Sequence, residues 1–276
     1  MAMTFSFHEN LELAGAENPF EISPAPVKTG DRREDFPKEI RLLNEKMSVP
    51  VFEDYLARPR LDELLEKTLL KFGAALITGR TGTGKTALAA DFSRRYGRAA
   101  WFSVEAAEND WDVFFKYFEE SFSRIAGEER RRRRPSARQK RRRADGEAAV
   151  APCIENLLAR VRLPAEEKPF LVVIDGIHHV FDAEWFSEFF ATLLRALTPD
   201  AHLLMLSRSA PPVPLWRMRS KQILGVIDEK LLVFTLEETV ELFEKFGLPA
   251  ERASQAYGKT FGRISRLKEF IGRSGR

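Results

Sequence analysis

The stretch Ala74-Ala75-Leu76-Ile77-Thr78-Gly79-Arg80-Thr81-Gly82-Thr83-Gly84-Lys85-Thr86 decides the fold. Its first five residues predict a buried strand, and the last eight fit G-x-x-x-x-G-K-[ST], the pattern of a phosphate-binding loop. Gly79, Gly82 and Gly84 carry no Cβ, so successive backbone N–H groups can turn inward around phosphate oxygens. Arg80, Thr81 and Thr83 complete the loop. Lys85 brings a cation to the β- and γ-phosphates, and the Thr86 hydroxyl is placed to ligate Mg²⁺. Ala87, Leu88, Phe92 and Tyr96 then recur at helical spacing, predicting a helix to about Tyr96 whose N-terminal end faces the phosphates. Strand, loop and helix in that order mark a site for ATP or ADP with Mg²⁺, lined by Gly79 to Ala87.

Working outward, four more runs predict strands: Ala99–Val104, Pro169–Asp175, His202–Leu206 and Gln222–Val226. The second is nearly continuous in apolar residues, as a central strand covered on both faces must be. An Asp ending such a strand downstream of the loop is the Walker B arrangement, so Asp175 joins Thr86 as a Mg²⁺ ligand. Glu105 and Arg208 follow the first and third of these strands, on the rim where an open α/β sheet binds its ligands. Arg58 and Arg60 approach the loop strand just before a helix over Asp62–Phe72, and either could reach the nucleotide or stay solvated. Trp111, Phe114, Phe115 and Phe118 form a helical stripe that belongs to the core. Further helices are expected over Pro152–Arg162, Ala183–Leu197, Leu215–Arg219, Leu236–Phe246 (opened by the capping box Thr235-Leu-Glu-Glu238) and within Arg252–Ile271.

Composition narrows the class. Among 276 residues Cys153 is the single cysteine, which excludes an internal disulfide and suits a reducing cytoplasm. No apolar run approaches the ~18–20 residues that span a bilayer, and no signal peptide is evident. His178 and His179 have no Cys or second His cluster to make a zinc site with them, and read as structural residues. The net charge is +3, yet Arg130 to Arg143 alone contributes +10, leaving −7 on the rest. Charge that dense repels itself and predicts a disordered surface insertion over 127–147, able to bind nucleic acid or an acidic partner, or merely solvated.

Taken together, the residues resemble the nucleotide-binding module of the STAND class of P-loop ATPases, in particular the MalT-like, LuxR-type transcription activators. Leu56-Ala-Arg-Pro-Arg-Leu61, Trp101 to Asp110, Leu206 to Leu215 with Arg217 and Arg219, Leu231 to Glu238 and Lys259 to Gly262 carry the resemblance across residues 48 to 270. It implies a five-stranded parallel sheet flanked by helices, with the Arg208 strand between the loop and Asp175 strands, plus a small C-terminal helical lid. It also implies a switch held closed by ADP and released to self-associate by ATP with an inducer. The expected organisation is an irregular arm over 1–47, a nucleotide-binding domain over 48–230 and a helical subdomain over 231–276. Arg263 stands where the family commonly has Trp. Gly176 stands where a second acidic residue is usual, so slow hydrolysis is expected, and an acidic side chain at 176 is expected to speed it. Glu105 is the nearest replacement carboxylate, with an ordinary loop acid as the competing reading.

The leading reading is therefore a cytoplasmic ATP-binding regulatory switch in which Lys85, Asp175 and Arg208 act on the phosphates. A nucleic-acid-stimulated motor or loader using the Arg-rich insertion, and a truncated nucleotide-binding remnant, are the alternatives. Deleting residues 127–147 is expected to leave ATP affinity unchanged in a fluorescent-nucleotide titration. The motor reading requires instead that DNA or RNA stimulate ATP hydrolysis, that the deletion abolish the stimulation, and that the effect fall steeply with salt.

Overall fold

The computed structural model describes residues 43–123, 150–161 and 169–274. The arm, up to residue 42, and the whole 127–147 insertion lie outside the described residues. Five strands, β1 (Ala74–Thr78), β2 (Ala99–Ser103), β3 (Phe170–Asp175), β4 (Ala201–Ser207) and β5 (Gly225–Ile227), pair in parallel in the order β2-β3-β4-β1-β5. The Arg208 strand, β4, thus lies between the loop strand and the Asp175 strand, as the resemblance implies. In register, Thr78 stands opposite Ser207, and Asp175 opposite Leu206, so the carboxyl ends of the three central strands share one rim.

Strand side chains alternate between two separate cores, as a pleat requires. Leu76, Phe102, Val172, Ile174, Leu203 and Met205 pack under α3 (Trp111–Ser123), α4 (Val150–Val161) and α5 (Phe186–Ala196). Ile77, Trp101, Leu171, Val173, Leu204 and Leu206 pack under α1 (Pro59–Phe72) and α2 (Lys85–Tyr96). The aromatic stripe of α3 is core. Phe189 meets Phe114 and Phe118 edge-to-face at 4.9 and 5.6 Å, geometry worth about 0.5–1.5 kcal/mol per pair beyond area burial.

Several boundaries differ from expectation, and two of them have a clear physical cause. Helix α1 begins at Pro59 rather than Asp62, because the fixed φ of proline suits the first helical position. Strand β5 begins at Gly225, since Gln222 has φ +53° and still closes the turn after α6 (Leu215–Ser220). A Cβ on Gly225 would stand 2.2 Å from Thr68 Cγ2, so α1 lies directly on β5.

After β5 the chain turns helical: α7 (Glu229–Leu232), α8 (Leu236–Lys245), α9 (Ala250–Thr260) and α10 (Ile264–Ser274). Phe234, Leu242, Phe243, Ala253, Ala256 and Leu267 give this segment its own core. The capping box forms: Thr235 Oγ1 accepts from the Glu238 N–H at 3.1 Å, and Glu238 Oε2 accepts from the Thr235 N–H at 3.0 Å. Gly262 closes α9 onto the start of α8, its carbonyl accepting from the Phe234 N–H at 2.8 Å. No helix among the described residues is long and apolar enough to cross a membrane.

Gly262 has φ +72°, and a Cβ there would lie 2.0 Å from the Phe234 carbonyl oxygen. Gly258 lies within α9 with nothing within 4 Å of such a Cβ. We expect Gly262→Ala to destabilise by more than about 1 kcal/mol and Gly258→Ala to stabilise by about 0.5–1 kcal/mol, as read by urea denaturation. Equal midpoints for the two variants would contradict the packing described.

Candidate functional site

The phosphate loop is fixed at both ends. The Gly79 N–H donates to the Ser207 carbonyl at 3.1 Å, tying the loop to the end of β4. Gly84, at φ +88°, caps α2, so the helix begins at Lys85 with its first N–H groups turned to the loop. Lys85 is buried, and its ammonium donates to the carbonyls of Gly79 and Arg80 and, at 3.3 Å, to Thr83 Oγ1. Burial lowers its pKa; Asp175 opposes that effect and Arg208 adds to it. The Thr86 hydroxyl donates to Asp175 Oδ2 at 2.9 Å, bringing the two expected Mg²⁺ ligands together from α2 and β3. Burial raises the Asp175 pKa, while the Thr86 hydrogen bond and the Lys85 charge pull it back. Among the described residues no three His, Cys, Asp or Glu side chains are grouped to hold a metal by themselves. The hydroxyl and carboxylate oxygens do suit a hard cation that shares phosphate ligands.

The loop opens into a cleft of about 740 Å³. Thr81, Gly82, Gly84, Lys85, Thr86 and Ala87 line its phosphate end together with Asp175 and Arg208. Its lining also takes in Val51 to Leu56 ahead of α1, with Glu53 and Asp54 among them, and Phe234, Leu242, Ile264 and Lys268 from the C-terminal segment. The helices of that segment also press on the loop. A Cβ on Gly79 would lie 2.8 Å from Glu229 Cβ, and one on Gly82 would lie 3.2 Å from Ser265 Cβ. The Arg80 side chain turns toward them, pairing with Glu229 at 2.8 Å while its N–H donates to the same carboxylate at 3.1 Å.

The structure separates the two approach arginines. Arg58 is 1% exposed and lines the cleft, donating to the Leu232 carbonyl at 2.7 Å with its guanidinium 4.4 Å from the centre of the Phe234 ring. Burial lowers its pKa. Arg60 points elsewhere: it pairs with Glu238 at 3.1 Å and donates to the carbonyls of Leu231 and Val233, outside the cleft. Glu105 reaches the rim but is 66% exposed and ion-paired with Lys46 at 2.8 Å. Lys46 is held in turn by the buried Glu108 at 2.6 Å.

Position 176 has no ready room for the acid that was expected to speed hydrolysis. Gly176 has φ +82°, and a Cβ would stand 2.5 Å from the Val104 carbonyl oxygen, so no side chain fits without moving the backbone after β2. Instead, the 3₁₀ turn Ile177–Val180 buries Ile177 and Val180 and turns His178 and His179 into the cleft. Their rings stand 4.2 Å apart, and both nitrogens of His178 are buried without a hydrogen-bond partner among the described residues. The His178 pKa is pushed down to about 4, chiefly by burial and further by His179, Arg208 and Lys85. The signal for these residues was the pattern apolar-His-His-apolar directly after Asp175-Gly176.

The family described as "AAA ATPase domain" matches residues 58–206, from Arg58 through most of β4 and more than half of the chain. The chain is 27% identical over 216 residues to the HTH-type transcriptional regulator MalT of Cronobacter sakazakii, covering 77% of this chain and 23% of that protein. To MalT of Vibrio cholerae it is 23% identical over 192 residues, covering 69% and 20%. It therefore spans about a fifth of the length of these curated relatives. Among solved structures, a Walker-type ATPase of Pyrococcus abyssi aligns with TM-score 0.48 at 14% identity, covering 81% of this chain and 69% of that one. With loop, Thr86–Asp175 pair and parallel sheet in place, the chain belongs to the AAA ATPase domain family, and its module resembles that of the MalT-like regulators.

Proposed function

We propose that the chain is an ATP-binding regulatory switch in which Mg·ATP sits between the phosphate loop and the C-terminal helices and is hydrolysed slowly. The observation that carries this reading is the shared wall of the cleft. The loop that would hold the phosphates is the surface on which Glu229, Ile264 and Ser265 rest. A ligand there touches both parts, so its phosphate content bears on where the helices sit.

In this reading the loop N–H groups and Lys85 bind the phosphates, Lys85 exchanging its carbonyl acceptors for phosphate oxygens. Thr86 and Asp175 hold Mg²⁺, which supplies charge neutralisation when bound. Arg208 senses the γ-phosphate from the rim, and Arg58 steadies the junction beside it. The apolar side chains of the lining, Phe52, Leu56, Phe234 and Ile264, take the nucleobase. Residues 48–230 act as the nucleotide-binding domain and 231–276 as its lid. The similarity to transcriptional regulators supports a place in signal transduction or transcription control in the cytoplasm, with ATP favouring self-association. The absence of room at Gly176 supports slow turnover.

Two substitutions test the site. A hydrogen bond to a charged group contributes about 1.5–3 kcal/mol, so Lys85→Ala should weaken ATP binding about 10- to 100-fold while leaving the fold intact by circular dichroism. Equal affinity in parent and variant would remove the assignment. Asp175→Ala should abolish the difference between titrations run with Mg²⁺ and with a chelator, and a preserved Mg²⁺ effect would place the cation elsewhere.

A further inference from the structure

Phosphoryl transfer to water needs a group that orients the attacking water, since the rest of the work is positioning and charge stabilisation. Four carboxylates line the described cleft, and Glu53 and Asp54 stand on the segment ahead of α1 rather than on the rim of the sheet. Asp175 is engaged by Thr86, and Glu105 is held by Lys46 on the exposed rim. Gly176 has neither a side chain nor space for one. His178 differs from all of these. It lines the cleft on the turn that directly follows Asp175, and neither of its ring nitrogens is committed to a partner among the described residues.

We propose that His178 holds the water that attacks the γ-phosphate, in the role that a carboxylate after Asp175 would otherwise fill. The proposal rests on the cleft being the ATP site. A neutral imidazole presents one lone pair and one N–H on opposite sides of the ring. Both nitrogens are buried as the ring now stands, so the ring turns about its Cβ–Cγ bond to bring the lone pair to the water, and the N–H then donates to a second polar group or another water. His179 supports the geometry: its ring packs 4.2 Å from that of His178, and its Cδ2 lies 3.3 Å from where a Cβ on Gly176 would be. The glycine thus leaves the space that the histidine pair needs. Burial first, then His179, Arg208 and Lys85, disfavour the charged form of the imidazole, so it keeps a lone pair.

The step balances simply. The water oxygen forms a new bond to the γ-phosphorus as the bond from that phosphorus to the β,γ-bridging oxygen breaks. ADP leaves with the bridging electrons, and a water proton ends on the phosphate product or in solvent. His178 orients the water and is a weak base, so turnover is slow.

The test is single-turnover hydrolysis of Mg·ATP by the full chain, with nucleotide affinity measured alongside. His178→Ala should slow hydrolysis about 100-fold with ATP affinity within about threefold of the parent. His178→Gln, which keeps an acceptor and a donor, should recover a substantial part of the rate. Mg·ADP with aluminium fluoride, which mimics the in-line transition state, should lose affinity for His178→Ala. Mg·ADP with beryllium fluoride, which mimics the ground state, should not. Hydrolysis by His178→Ala at the parent rate, an equal loss of both analogues, or a parent that binds ATP yet never releases phosphate would overturn the proposal. A parent that fails to bind ATP would instead remove the site reading on which it stands.

Discussion

A guanidinium buried in an apolar junction is the contact on which the arrangement depends. Arg58 precedes α1, touches the cleft beside Gly84, and gives a hydrogen bond to the last residue of α7. Burying a cation is strongly unfavourable unless it finds polar partners. Here the partners include the Leu232 carbonyl and the face of Phe234 from the C-terminal segment, with Tyr55 and Glu238 also favouring the charge. Separating that segment from the sheet would strip the charge of its hydrogen bond to Leu232 and its ring contact with Phe234. Lysine would not substitute well, because its point charge lacks the flat, weakly hydrated surface that lies on the ring.

Much of this was legible in the sequence because the signals were local. The phosphate loop, the run Phe170 to Asp175 and the Thr235 capping box each lie within a few consecutive residues, and strand alternation and helical spacing placed the core. Arg58 and Arg60 were not separable, since both precede the same predicted helix. Arg58 stands just before the helix with non-helical backbone and Arg60 in its first turn, and only the packing of α1 decides which one turns inward. The start of β5 was misread because the left-handed backbone at Gln222 leaves no mark in residue type.

Gly176 shows how a side-chain argument can miss a backbone one. Comparing residue types suggests a missing acid that could be restored. In the structure the position is a sharp left-handed turn against the Val104 carbonyl, and that turn carries two histidines into the cleft. The absent carboxylate and the present imidazoles are consequences of one bend. The histidine doublet by itself carries no such local signal, because two adjacent histidines are read first against metal binding, which needs further ligands nearby in the sequence.

The grip of Glu229 on Arg80 has a thermodynamic corollary. An exposed ion pair of this kind contributes only about 0.2–1 kcal/mol, but it is joined by the close contacts of Gly79 and Gly82 with the C-terminal segment. If nucleotide favours one placement of those helices, any macromolecule that prefers the other must weaken nucleotide binding. Linkage makes the influence reciprocal and equal in free energy, commonly about 1–3 kcal/mol between coupled sites. The same equilibrium can therefore be driven from either end: by the supply of nucleotide, or by whatever takes hold of the helices.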